Sequence, residues 1–118
     1  MKIKEKKPSR LFSVGLNNDI EIKDCGELSL LPDEQVTLTT ESGQEYDICR
    51  KEWGFYATPS TNGRLKSFGF KTALVKNSFG KKYIMIVDEK RLDQFNIYLE
   101  AEMLSVLSWL DEEDSQIN

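Results

Sequence analysis

The chain has 118 residues, 16 of them Lys or Arg and 20 Asp or Glu, with no histidine and two cysteines. That length suits one compact domain, and 39% apolar with 31% charged residues matches a folded globular protein rather than a disordered one. The missing histidine excludes Ser-His-Asp and Cys-His nucleophiles, HExxH-type zinc sites and the usual near-neutral general base from this chain.

Residues 1–9 are basic through Lys2, Lys4, Lys6 and Lys7, and no apolar run follows them. They read as a flexible basic segment and not as a secretion signal. No stretch approaches the roughly 18 consecutive apolar residues of a membrane span. Cys25 and Cys49 stand apart with no CxxC pair, the pattern of free thiols. The expected compartment is the cytoplasm, with no membrane partner.

Strand patterns begin with Arg10–Leu16. Asp19–Lys23 (DIEIK) alternates, with Ile20 and Ile22 on one face, and Asp24-Cys25-Gly26 is expected to turn the chain. Gln35–Thr40 and Gln44–Arg50 form a hairpin about Glu41-Ser42-Gly43. In its second arm Tyr46 and Ile48 are expected inside, and Glu45, Asp47 and Cys49 outside. Trp53–Thr58 continues as strand, placing Trp53, Phe55 and Ala57 on one face. Pro59–Lys66 is a polar loop around Asn62-Gly63. Phe68–Lys76 and Lys81–Asp88 make the clearest hairpin, and YIMIV in its second arm reads as a central strand covered on both sides.

A long C-terminal helix is expected to provide that cover. Asp88 is its N-cap, and Leu92, Phe95, Leu99, Met103, Val106 and Leu110 recur at spacings of three and four. Over Glu89–Leu110 the helix would run about 33 Å, longer than a small sheet needs, which leaves part of its apolar arc for a partner or a second copy. An acidic tail occupies 111–118. The expected fold is α+β and β-dominated: a mainly antiparallel, curled or barrel-like sheet of about six to eight strands with one long C-terminal helix, forming a single domain over 1–118.

Charge falls in blocks: +4 over residues 1–16, −8 over 17–49, +7 over 50–82 and −7 over 83–118. Opposed blocks on neighbouring strands pair with each other, and they also leave a basic face for an anionic ligand. The +7 block contains WGFYATPSTNGRL (53–65), where aromatic rings run into a polar loop bearing an arginine. Rings offer stacking area, while Asn and Arg offer directed hydrogen bonds. The candidate ligand-binding residues are therefore Trp53, Tyr56, Asn62, Arg64 and Lys71. The plainer alternative makes Trp53 and Phe55 core and the loop a simple turn.

With LPDEQVTL (31–38) before it and FGFKTALVKN (68–77) after it, this segment resembles a small bacterial protein family. That family is associated with surface-polysaccharide and nucleotide-sugar gene neighbourhoods. The resemblance spans about residues 10–110, implies a sugar-related role and carries over no catalytic residue.

Other chemistry has less to stand on. Glu45 and Asp47, two apart on one strand, have the spacing to share a hard cation, but alternating acids on a strand are ordinarily solvated surface. No P-loop, GxGxxG or GxSxG motif occurs. No catalytic residue, metal ligand or cofactor is assigned. The expected function is a non-enzymatic binding or accessory domain for a partner protein or a sugar-like or anionic small ligand. The alternatives are an assembly module that dimerises through the C-terminal helix and a β-barrel that binds single-stranded nucleic acid through basic residues interleaved with aromatics.

Overall fold

The computed structural model describes residues 1–112, so most of the acidic tail expected at 111–118 lies outside the described residues. Eight strands are present among them: β1 (Lys2–Val14), β2 (Ile20–Ser29), β3 (Gln35–Thr39), β4 (Glu45–Lys51), β5 (Gly54–Ala57), β6 (Phe70–Lys76), β7 (Lys82–Asp88) and β8 (Ser105–Trp109). A single helical turn, α1 (Arg64–Ser67), precedes β6. Between β7 and β8 a 3-10 turn at Glu89–Arg91 leads into α2 (Leu92–Ala101). The fold is β-dominated with antiparallel sheets, as the alternating patterns imply, but no barrel closes among the described residues.

The residues divide into two compact units. The first comprises Met1–Val36 and Ile48–Tyr56, the second Thr37–Asp47 and the residues from Ala57 onward. The boundary falls within β3 and β4, which form a three-stranded sheet with β5 in the order β3-β4-β5.

The first unit is dominated by a ribbon of β1 and β2, which pair antiparallel from Lys2 opposite Ser29 to Val14 opposite Ile20. Two expectations change here. The basic segment 1–9 belongs to β1, and Asp24-Cys25-Gly26 runs straight through β2 instead of turning. The register shifts between Glu5 and Arg10, and all the extra residues sit on β1. Lys6 and Arg10 gather there on Asp24, at 2.5 and 3.4 Å, so opposed charges on facing strands replace the expected turn. Arg50 and Asp33–Glu34 tie the end of β4 to the start of β3 through two backbone hydrogen bonds, at 2.7 and 2.9 Å.

The second unit holds the apolar core. Leu65, Phe70, Ala73, Val75 and Val87 are buried, most of them on β6. β6 is the central strand, in the order β7-β6-β8, and β7, expected to be central, is an edge with Tyr83 and Ile84 exposed. The β6–β7 turn forms as expected: Gly80 takes φ +79°, and the Asn77 side chain accepts the backbone N–H groups of Phe79 and Lys81, each at 2.9 Å.

The C-terminal helix is much shorter than its stripe implies. Asp88 accepts the Lys90 N–H at 2.9 Å, the expected cap, but the helical segment spans 13 residues and ends at Ala101. Met103 adopts φ +54° and the Leu104 N–H bonds back to the Leu99 carbonyl at 2.8 Å, a Schellman-type stop. That position is normally glycine, so the sequence carries no stop signal. Val106 and Leu110, which continued the stripe, belong to β8 and the residue just after it. The surplus helix length that suggested a dimer face disappears with this correction.

Candidate functional site

β4 and β5 are joined by the two-residue turn Glu52-Trp53, which Gly54 completes with φ +142°. Alternation places Trp53 and Phe55 toward a core, yet Trp53 is 71% exposed and Phe55 66%, with Tyr56 exposed beside them. The physical reason is position. Trp53 sits in the turn, where the two-residue period no longer applies, and β5 is a four-residue edge strand. The Trp53 and Tyr56 rings stack at 5.9 Å between centroids, 29° between planes. Each ring shields the other on one side only.

Beside these rings lies a shallow open groove of about 480 Å³, lined by Leu28, Leu30, Arg50, Trp53 and Phe55 among others. Its cations are already engaged. The Arg50 guanidinium donates to the Leu30 carbonyl at 3.0 Å, and the Lys51 ammonium meets the Asp33 carboxylate at 2.5 Å. Asp33 holds the Lys51 pKa above its ordinary value. Polar groups, Ser29 and Glu52 among them, share the lining with the Trp53 and Phe55 rings and the two leucines.

The remaining candidates belong to the second unit. Asn62 is exposed in the turn before α1. Arg64, at the start of α1, lies 2.5 Å from the Asp47 carboxylate as an ion pair, without a well-directed N–H···O bond to that oxygen. Asp47 is buried and also accepts the Thr37 hydroxyl. Thr37 foremost, then Arg64, hold its carboxyl below the usual aspartate range against the opposing effect of burial. Lys71 on β6 binds Asp111 at 3.1 Å and lies 4.7 Å from the centre of the Trp109 ring, which Phe95 meets edge-on. Burial pushes the Asp111 carboxyl up, but Lys71 and backbone N–H groups, including that of Thr72, outweigh it and leave the pKa lowered.

The five candidates are therefore not one cluster. Trp53 and Tyr56 stand together in the first unit, while Arg64 and Lys71 neutralise two different buried carboxylates in the second. The expected outward face of β4 is reversed, since Asp47 and Cys49 are its buried residues. Sequence reasoning missed Phe55, Leu28 and Leu30 beside the rings, and missed Asp47 and Asp111 as structural anions. Alternation gave no signal for the anions, because partners 17 and 40 residues away decide their burial.

Among the described residues no group of three or more Cys, Asp or Glu is placed to hold a metal ion, and no helix is long and apolar enough to cross a membrane. The arrangement around Trp53 offers stacking and apolar contact. No protein-family model, no curated protein and no solved structure matches the chain, so the residues themselves are the ground for any functional reading.

Proposed function

We propose that the chain is a binding module that engages a partner protein through the aromatic end of the β4–β5 hairpin. One observation carries this reading: Trp53, Phe55 and Tyr56 are all exposed within four residues, next to a groove containing Leu28 and Leu30. Exposed aromatic rings are costly to leave in water, and Trp and Tyr are the residues that most often dominate protein contacts. A small anionic ligand is less well served, because Arg50 and Lys51 are already held by Leu30 and Asp33. A sugar-like ligand would find rings to stack on but an open groove, whereas small-molecule sites enclose most of their ligand. Arg64 and Lys71, each spent on a buried carboxylate, favour neither a phosphate-tracking nucleic-acid surface nor an anion site.

The test places a photo-crosslinking side chain at position 55 and, as a control, at Glu41. A discrete protein adduct is expected at 55 alone and should be lost in Trp53→Ala. In the Trp109→Phe background, Trp53 fluorescence titrated with glycans and nucleotide-sugars should stay flat. A saturable response there, without a protein adduct, overturns the reading in favour of a small ligand.

A further inference from the structure

The first unit carries a second surface, the outer edge of β2, which adjoins the aromatic groove at Leu28 and Ser29. The β1–β2 ribbon is a two-stranded sheet, so among the described residues each strand has one edge without a strand partner. Isolated two-stranded ribbons are marginal in water, and free edges invite further pairing. The two edges are not equivalent. β1 carries Lys2, Lys4, Lys6, Lys7, Pro8 and the irregularity between Glu5 and Arg10, all features that discourage strand addition. β2 is ten residues long, has no proline and contains none of the extra residues.

The sequence of β2 is also complementary to its own reverse. Ile22 and Leu28 stand three positions either side of Cys25, Lys23 and Glu27 two, and Asp24 and Gly26 one. In an antiparallel pair centred on Cys25, Ile22 of one copy faces Leu28 of the other, and Lys23 faces Glu27 of the other. Asp24 then faces Gly26, and Glu21 faces Ser29. No like charges meet, and every favourable pair occurs twice, as a two-fold axis requires. The groups concerned are accessible: Ile22 and Leu28 are exposed, and Lys23 makes no ion pair among the described residues. Glu27 lies 3.8 Å from Lys6 and is otherwise open. Ile22 and Leu28 also share one face of the ribbon with Phe12 and Ile3, their partners on β1, so on that face the joined ribbons would carry two apolar clusters flanking the central Asp24 and Gly26 pairs.

We propose that a second copy of this chain pairs with the first along the outer edge of β2, antiparallel and centred on Cys25, to make a four-stranded sheet β1-β2-β2-β1. The occupant is a second copy because the apolar and charge patterns both match under the same reversal. A hetero-partner would require neither match.

Sedimentation of the full chain should show a dimer at submillimolar concentration. Lys23→Glu and Glu27→Lys should each weaken it about tenfold, and the two changes together should restore it, since attraction at two symmetric pairs becomes repulsion and then attraction again. Directly opposed residues in antiparallel strands have Cα atoms about 4.5–5.5 Å apart, within disulfide reach. Diamide, reduced to its hydrazine as two thiols join, should therefore link Cys25 to Cys25 in the wild type and not in Lys23→Glu at equal concentration. Cys49 is buried and serves as the internal control. A monomer throughout, a dimer indifferent to both charge reversals, or a dimer without the Cys25 link overturns the proposal. Trp53→Ala should leave the dimer unchanged, and if it dissociates the dimer the contact lies at the aromatic end and not on β2.

Discussion

The two units of this chain differ most in what they bury. Nearly every buried side chain, from Leu65 and Val75 to Asp47 and Asp111, belongs to the second unit, and Cys49 is the one buried apolar residue of the first. Both units expose large apolar side chains, among them Ile3, Leu11, Phe12, Ile22, Leu28, Leu31, Trp53 and Phe55 in the first and Phe79, Ile84, Ile97 and Met103 in the second. The second unit is held by its own core. The first has almost no buried side chains of its own, and the aromatic hairpin end and the self-complementary strand edge both belong to it.

That contrast can be broken by experiment. The largest expected effect is Leu65→Ala, which empties a site only 1% exposed and should cost about 2–4 kcal/mol in denaturant unfolding. Ile3→Ala in the ribbon, at a side chain 63% exposed, should cost within about 0.5 kcal/mol in the monomer, and comparable losses at the two positions would refute the division. Next comes Arg64→Ala, which strands the Asp47 carboxylate without its counter-charge and should cost about 1–3 kcal/mol. The pH dependence has a definite sign. Asp47 and Asp111 both have folded pKa values below the ordinary aspartate range, so their stabilisation is complete at neutral pH and disappears as pH falls through that range and below. Asp47→Asn should flatten the acid limb of the unfolding curve, and an unchanged limb would remove Asp47 from this account. The smallest effect is kinetic: hydrogen exchange at submicromolar protein should be fast across β1 and β2 and slow across β6, and equal protection would erase the contrast.

Local structure was legible wherever local chemistry governs it. The turns at Gly43 and Gly80 and the Asp88 cap form as their sequences imply, because each depends on a left-handed glycine or a side chain bonding its own neighbours. The helix end was not legible, since Met103 takes a conformation that glycine usually supplies and Val106 fits a helical spacing and a strand equally well. The candidate site was legible in part. WGFYAT marks the aromatic cluster, but its exposure, and the diversion of Arg64 and Lys71 to buried carboxylates, depend on distant residues.

By itself the sequence determined the β-rich class, the absence of histidine chemistry, the β3–β4 and β6–β7 hairpins and the location of the aromatic cluster. These follow from residue type and from periods of two or four. The tertiary structure alone decided that β6 and not β7 is central, that Asp47 is buried, that the +7 block is partly neutralised by internal anions, and that Trp53 faces water. Each of those outcomes depends on which strand lies beside which, and residue spacing carries no information about partners tens of positions away.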